Sequence, residues 1–139
     1  MDTLVLYNRL TRNMYLESAD FSFVNLFIWR HAHQLRYAVD DGFFIPYCNY
    51  KGNTFFMTPV GGPREEFVML CDKLAAYSRS CGHPFKMMTV PEETACLLLK
   101  EASDRYKIIP DRGNWDYLYR TEDLLELKGR KYQQKRNQI

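Results

Sequence analysis

The sequence predicts an α/β domain of the α+β type, in which a mixed, largely antiparallel sheet is flanked by helices. Three observations lead to this fold class. Strand-like runs follow one another between residues 35 and 58, separated by short turns. Helical patterns precede and follow this block. The chain has 139 residues and is 46% hydrophobic, which suits one domain with a core of its own.

Two helices are predicted before the strands. Residues Thr3–Tyr15 carry apolar side chains at partial helical spacing. Ser18 is a suitable N-cap for a second helix that runs from Asp20 to about Gln34. The stretch Phe21–Trp29 is apolar nearly all round, which indicates burial on more than one side or a surface that meets a partner.

The strand block consists of Leu35–Val39, Phe43–Cys48 and Thr54–Thr58. Asp41-Gly42 separates the first two strands, and a turn at 49–53 separates the next two. Glycine tolerates the positive φ of a tight hairpin turn, so both connections predict hairpins. Two consecutive hairpins make an antiparallel meander.

The second half of the sequence predicts further helices and strands. After Pro59–Gly62, Pro63 suits a first helical turn, and Gly82 suits the end of that helix. The remaining predictions are a strand at Phe85–Thr89, a capping box of Thr89 and Glu92 that starts a helix to about Ser103, a hairpin of Tyr106–Ile109 with Trp115–Tyr119, and a short helix capped by Thr121.

Charge is distributed unevenly along the chain. Residues 128–139 hold five of the 19 basic residues and no acid, which leaves 14 basic and 17 acidic residues in 1–127. The four cysteines show no CxxC spacing, and only Cys81 with His83 approaches a zinc pattern, so no metal site is predicted. No apolar run reaches the roughly 20 residues of a membrane span, and the start lacks the basic region of a signal peptide. We therefore expect reduced thiols and a cytoplasmic location.

The predicted element order resembles that of the GNAT acyltransferase fold without its first strand. Three segments go further: Phe21–Arg30 (FSFVNLFIWR), Pro59–Gly61 (PVG) and Trp115–Asn137 (WDYLYRTEDLLELKGRKYQQKRN). They resemble the family of the phosphatidylglycerol lysyltransferase C-terminal domain. Members of that family consist of two GNAT-like halves in tandem, and the best-understood ones transfer an aminoacyl group from a charged tRNA to a lipid head group.

The resemblance implies that this chain is the first half of such a protein. Residues 1–127 would form a GNAT-like half-domain, and 128–139 a basic segment that leads toward a second half. It also implies that the chemistry belongs to the full-length protein and that the isolated chain is inactive.

Three groups of residues are candidates for a site. Gly61, Gly62 and Arg64 precede a helix, where GNAT enzymes cradle the pyrophosphate of acetyl-CoA or another acyl-CoA with backbone N–H groups. Pro63, however, removes one donor, and two glutamates follow; a plain strand-to-helix turn is the alternative.

The basic face of Arg130, Lys131, Lys135 and Arg136 could contact tRNA phosphates, or it could be a solvated linker. Asp116 and Tyr117 are weak candidates for acid and base roles, since aromatic residues on strands mostly fill cores.

Three functions are therefore open. The first is an architectural, non-catalytic half of an acyltransferase-family protein, which requires a central mixed sheet with a splayed pair of strands. The second is a stand-alone acetyltransferase, which requires a working loop at Gly61–Arg64. The third is an interaction module that forms a homodimer or pairs with a second half or another polypeptide. The Phe21–Trp29 helix and the face of Trp115, Tyr117 and Tyr119 together offer a large apolar surface for this.

Overall fold

The computed structural model describes residues 2–15, 17–116 and 119–137 of the chain. The chain divides into two compact units, Met1–Ile108 and Ile109–Ile139. The helices of the first unit are α1 (Thr3–Thr11), α2 (Phe23–Trp29), α3 (Phe67–Ser80) and α4 (Glu92–Ala102), and its strands are β1 (Arg36–Asp40), β2 (Phe43–Tyr50), β3 (Asn53–Met57), β4 (Val60–Gly61) and β5 (Met87–Met88). The second unit contains α5 (Thr121–Glu126) and α6 (Gln133–Arg136).

The five strands form one mixed, mostly antiparallel sheet. Its main order is β1-β2-β3-β5. Strand β4 pairs with the first two residues of β2, Phe43 and Phe44. Strands β1, β2 and β3 form the predicted meander, while β3 and β5 are parallel. The two hairpin turns consist of Asp41-Gly42 and Lys51-Gly52, and all four turn residues have positive φ. Two-residue turns with positive φ at both positions have a backbone twist that matches the twist of the flanking strands. The predicted fold class is confirmed.

Both faces of the sheet are covered, because residues of β2 alternate between two cores. Phe43 and Ile45 pack on one face with side chains of α3 and α4, including Leu70 and Leu98. Phe44 and Cys48 pack on the other face with Tyr7 of α1, Leu26 of α2 and Val60. The Tyr7 hydroxyl also donates a hydrogen bond to the Phe21 carbonyl. The two cores hold the meander between two helical layers.

Helix α3 ends as predicted at Gly82. The N–H of Gly82 donates to the Arg79 carbonyl, and the N–H of His83 donates to the Ser78 carbonyl. Gly82 has a φ of +77°, so the turn is a Schellman motif that needs a left-handed residue after the helix. At the other end of α3, a 3-10 turn, Arg64–Glu66, leads into the helix, and Pro63 precedes that turn.

The helices before the sheet are shorter than predicted. Helix α1 ends at Thr11 instead of Tyr15. Ser18 caps a separate 3-10 turn, Ala19–Phe21, and Ser22 then caps α2, which ends at Trp29. Serine hydroxyls that accept backbone N–H bonds at both positions interrupt what apolar spacing alone reads as one helix.

Three local predictions toward the C-terminus were wrong. Thr89 and Glu92 form no capping box, because Pro91 is the N-cap of α4 and the Thr89 hydroxyl bonds to the Met88 carbonyl. Thr121 is the first residue of α5 and its N-cap is Arg120.

No strand forms at Tyr106–Ile109, and Arg112–Asn114 form a 3-10 turn, so the hairpin is absent there. The predicted second strand includes Tyr117 and Leu118, which lie outside the described residues.

Candidate functional site

The loop Gly61–Arg64 connects the sheet to the start of the long helix α3. Gly61 belongs to β4 and is paired with Phe43 of β2. Arg64 begins the 3-10 turn that runs into α3. The loop therefore occupies the strand-to-helix position at which the sequence predicted a cofactor cradle.

Gly61 is in close contact with two backbone segments. A Cβ atom on Gly61 would lie 2.7 Å from the Gly42 carbonyl oxygen and 3.0 Å from the Leu10 carbonyl oxygen. The Gly61 N–H is also engaged, because it donates to the Met14 sulfur at 2.9 Å. Packing between α1 and the β1–β2 turn thus requires a glycine here, and one of the loop's donors already has a partner.

Gly62 is held against the ring of Phe43. A Cβ atom on Gly62 would lie 2.5 Å from two carbons of that ring, and Phe43 is only 2% exposed. Gly62 has a φ of +63°, in the left-handed region. The core and the backbone conformation therefore both demand glycine at this position, with no need for a ligand.

Arg64 is exposed and pairs with an acid of α4. Its guanidinium lies 4.0 Å from the Glu93 carboxylate, and both side chains are exposed. Glu65 and Glu66 follow it in the same turn. Such exposed pairs contribute little to stability. The three carboxylates give the loop a mainly acidic surrounding, which opposes phosphate binding.

The parallel strands β3 and β5 remain hydrogen-bonded beyond their last paired residues. Phe56 N–H donates to the Lys86 carbonyl at 2.9 Å, and Thr58 N–H donates to the Met88 carbonyl at 3.2 Å. The buried Thr58 hydroxyl then donates to the Thr89 carbonyl at 3.1 Å. The two strands consequently do not separate before Thr89, and the splayed pair is not formed along this stretch.

The acid candidate Asp116 belongs to the second unit. Asp116 is exposed and follows the 3-10 turn Arg112–Asn114, in the second unit. Tyr117 lies outside the described residues. The proposed role of this pair stays a prediction.

The basic segment after Gly129 is anchored by one aromatic residue. Arg130–Tyr132 form a 3-10 turn, and Lys135 and Arg136 belong to α6. Tyr132 is 3% exposed, and its hydroxyl donates to the Asp123 carboxylate at 2.9 Å. Its ring also lies 6.0 Å from that of Tyr119. The segment is therefore part of the second unit's packing and begins beside α5.

A polar cluster that the sequence did not predict joins α3 to the residues that follow α4. The Tyr106 hydroxyl donates to one Asp72 carboxylate oxygen at 2.6 Å, and Arg105 pairs with the other. Burial and the bond to Asp72 raise the pKa of Tyr106 above its usual range, so the phenol stays a donor. The adjacent Cys71 is fully buried, and burial raises its pKa to about 12. A contact between residues 34 positions apart has no local sequence signal.

A shallow cleft that is open to solvent lies at the start of β5. Tyr47, Tyr77, Cys81, His83 and Lys86 are among its lining residues. The cleft thus brings the Cys81 and His83 pair to one place. Within residues 2–15, 17–116 and 119–137, no group of three or more His, Cys, Asp or Glu residues could hold a metal ion.

Comparison with known families identifies one match. The family described as "Phosphatidylglycerol lysyltransferase, C-terminal" matches residues 12–139. A crystal structure of a conserved protein of unknown function from Bacteroides thetaiotaomicron VPI-5482 is 30% identical, with a TM-score of 0.76. The match covers 97% of this chain and 46% of that one, so the chain spans about half the length of this relative. No curated protein matches the chain.

The helices are too short or too polar to span a bilayer in the part of the chain that the structure describes.

Proposed function

The chain belongs to the phosphatidylglycerol lysyltransferase C-terminal family, and we propose that it is the first, architectural half of a two-part acyl- or aminoacyltransferase. The observation that carries this proposal is the coverage: 97% of the chain corresponds to 46% of a relative with a TM-score of 0.76. The order of meander, helix, strand and helix agrees with a GNAT-like half. The splayed pair of strands expected for such a half is not formed between β3 and β5 as far as Thr89. The proposal therefore rests on the family and on the coverage. In this proposal the chain shapes part of a substrate groove, and the second half supplies the reacting groups.

The packing of the Gly61–Arg64 loop supports an architectural role. The Gly61 N–H is bonded to Met14, and Gly62 packs on Phe43. A pyrophosphate cradle needs free N–H groups and a surrounding that favours anions. Here the close backbone approach serves the core, and the nearby side chains are mainly acidic.

The name of the family supports a proposal for the substrate class of the full-length protein. The family's name refers to transfer of a lysyl group to phosphatidylglycerol, and we propose acyl or aminoacyl transfer of the same kind, with a charged tRNA as donor. The basic residues Arg130, Lys131, Lys135 and Arg136 would contact tRNA phosphates. Since charged tRNA is made in the cytoplasm, we propose a cytoplasmic location, which agrees with four free cysteines.

Binding of tRNA by the chain tests this role. In a filter-binding assay with an uncharged tRNA, the double variant Lys135→Gln/Arg136→Gln should bind with an affinity lower by roughly tenfold or more. The slope of log affinity against log salt concentration should be shallower by up to about two. The matched control, Arg79→Gln/Lys100→Gln, neutralises two exposed basic residues of the first unit and should leave both values close to wild type. Equal losses in both double variants would contradict a dedicated tRNA surface.

The alternative of a stand-alone acetyltransferase is tested by calorimetry. We expect no heat of binding when acetyl-CoA is titrated into the chain, since the loop's glycines serve packing. A saturable isotherm that Arg64→Ala weakens would favour the alternative and would overturn the architectural role.

A further inference from the structure

Strand β1 is an open edge of the sheet. Among the described residues it pairs with β2 alone, and the four residues Arg36–Val39 are exposed. A strand edge of this kind presents unpaired backbone N–H and C=O groups to an incoming strand. Natural edges are commonly blocked by charges, so the positions of the charges on β1 decide whether it can pair.

The register identifies which backbone groups point outward. Tyr37 is opposite Pro46, which has no N–H, so these two residues form a non-hydrogen-bonded pair. The two-residue turn closes on Asp40 and Phe43, which agrees with this alternation. The N–H and C=O groups of Tyr37 and Val39 therefore face away from β2. An antiparallel partner would bond to these two residues.

The sequence of β1 is complementary to itself. The strand reads Arg36-Tyr37-Ala38-Val39-Asp40. In an antiparallel pair of two copies centred on Ala38, Tyr37 bonds with Val39 of the other copy and Ala38 faces Ala38. Arg36 of each copy then lies opposite Asp40 of the other, in the close, non-hydrogen-bonded positions. Charges on an edge strand often prevent pairing. In this pair they attract, because the two-fold axis that relates the copies brings Arg36 of one opposite Asp40 of the other.

The surroundings of β1 suit this arrangement. Tyr37 and Val39 are 43% and 45% exposed, so pairing would bury apolar surface. The Thr3 hydroxyl bonds to the Tyr37 hydroxyl at 3.1 Å, which brings the start of α1, with the exposed Leu4 and Val5, beside the same edge.

Asp40 and Asp41 both pair with Lys73, at 3.0 and 2.7 Å. Asp41 therefore retains Lys73 when Asp40 turns to Arg36 of the other copy.

We propose that two copies of this chain associate through antiparallel pairing of their β1 strands, centred on Ala38, with reciprocal Arg36–Asp40 ion pairs. This inference rests on the register of β1 and does not depend on the proposed transferase role. It identifies the dimer surface as the sheet edge, whereas the sequence predicted the apolar helix at Phe21–Trp29 together with the face of Trp115, Tyr117 and Tyr119.

A charge-reversal mixture tests the pairing. In a dimer of Arg36→Asp chains, the new aspartate lies opposite Asp40 of the other copy; in a dimer of Asp40→Arg chains, the new arginine lies opposite Arg36. Like charges are then opposed in both dimers. Sedimentation should therefore show, for each variant alone, a dimer dissociation constant raised by roughly tenfold or more. In an equimolar mixture both opposed pairs become complementary, and a 1:1 heterodimer should form with wild-type affinity. Recovery in the mixture also demonstrates that both variants are folded.

A backbone variant gives an independent test. Val39→Pro removes an outward N–H and leaves the β1–β2 ladder intact, so it should yield a folded monomer, whereas Val39→Thr should remain dimeric. A wild-type chain that is monomeric at about 1 mM would overturn the proposal. So would a wild-type dimer that is insensitive to Arg36→Asp, Asp40→Arg and Val39→Pro, since its interface would then lie elsewhere.

Discussion

Replacement of Gly62 by alanine distinguishes a glycine required by the core from one required by a ligand. A Cβ atom at this position would lie 2.5 Å from two Phe43 ring carbons and 2.6 Å from a third. Ordinary carbon contacts are about 3.5–4.0 Å, so the ring would have to move by about 1 Å. Phe43 is 2% exposed and its ring lies 6.2 Å from that of Phe67, which leaves it little room.

The magnitude follows from two contributions. Forcing extra volume into a packed core costs about 1–3 kcal/mol, and a left-handed backbone costs alanine about 1–2 kcal/mol more than glycine. Gly62→Ala should therefore lower the free energy of unfolding by about 2–5 kcal/mol. Gly52→Ala is the matched control, because Gly52 also has a positive φ but its Cβ would meet nothing within 4 Å. It should lose only the backbone contribution, about 1–2 kcal/mol.

Urea unfolding of both variants at neutral pH measures the difference. Gly62→Ala should have the lower midpoint with an unchanged slope, and a melting temperature lower than that of Gly52→Ala by at least about 3 °C. If Gly62→Ala is as stable as Gly52→Ala, the loop is not held by packing against Phe43. The glycine would then be free to serve a ligand, and the reasoning behind the architectural role would fail.

The remaining predictions concern buried groups of the first unit. Cys48 and Cys71 should react with an aromatic disulfide much more slowly than the two exposed cysteines, because burial raises their pKa to about 11 and about 12. The same shifts predict that stability is full below pH 9 and falls between about pH 9 and pH 12, where the unfolded thiols ionise first; urea unfolding at pH 10 should show a loss of about 1 kcal/mol per thiol. Tyr106→Phe should lower the free energy of unfolding at neutral pH by about 1–2 kcal/mol through loss of the bond to Asp72, and an unchanged urea midpoint would refute that bond.

The sheet could be predicted because its signals are local. Asp41-Gly42 and Lys51-Gly52 mark both hairpins, and the strands they join pair as an antiparallel meander. The end of α3 at Gly82 is equally local, since the cap is made within three residues of the helix. Such features depend on backbone conformations that few residues other than glycine adopt.

The errors arose where a second residue competes with the pattern. Ser22 caps α2 and thereby divides the apolar run that spacing alone assigns to one helix. Pro91 is the N-cap of α4, a position that the spacing of Thr89 and Glu92 assigns to Thr89. At Tyr106 the bond to Asp72 replaces the predicted strand pairing. Side-chain partners distant in sequence leave no periodic signal.

The candidate site was predictable in position but not in character. A glycine pair before a helix suggests a phosphate cradle from sequence alone. Only the structure reveals that Gly61 and Gly62 face Leu10, Gly42 and Phe43. Likewise, the sequence gives no sign that Tyr132, which lies in a basic run, is buried and hydrogen-bonded to Asp123.

A transfer assay with the 139-residue chain alone tests the central claim most directly. The chain would be incubated with radiolabelled lysyl-tRNA and phosphatidylglycerol vesicles, and separately with labelled acetyl-CoA and a mixture of amine acceptors. An architectural half should yield no labelled product above the protein-free blank. Product that accumulates over many turnovers, in proportion to the concentration of the chain, would contradict the account.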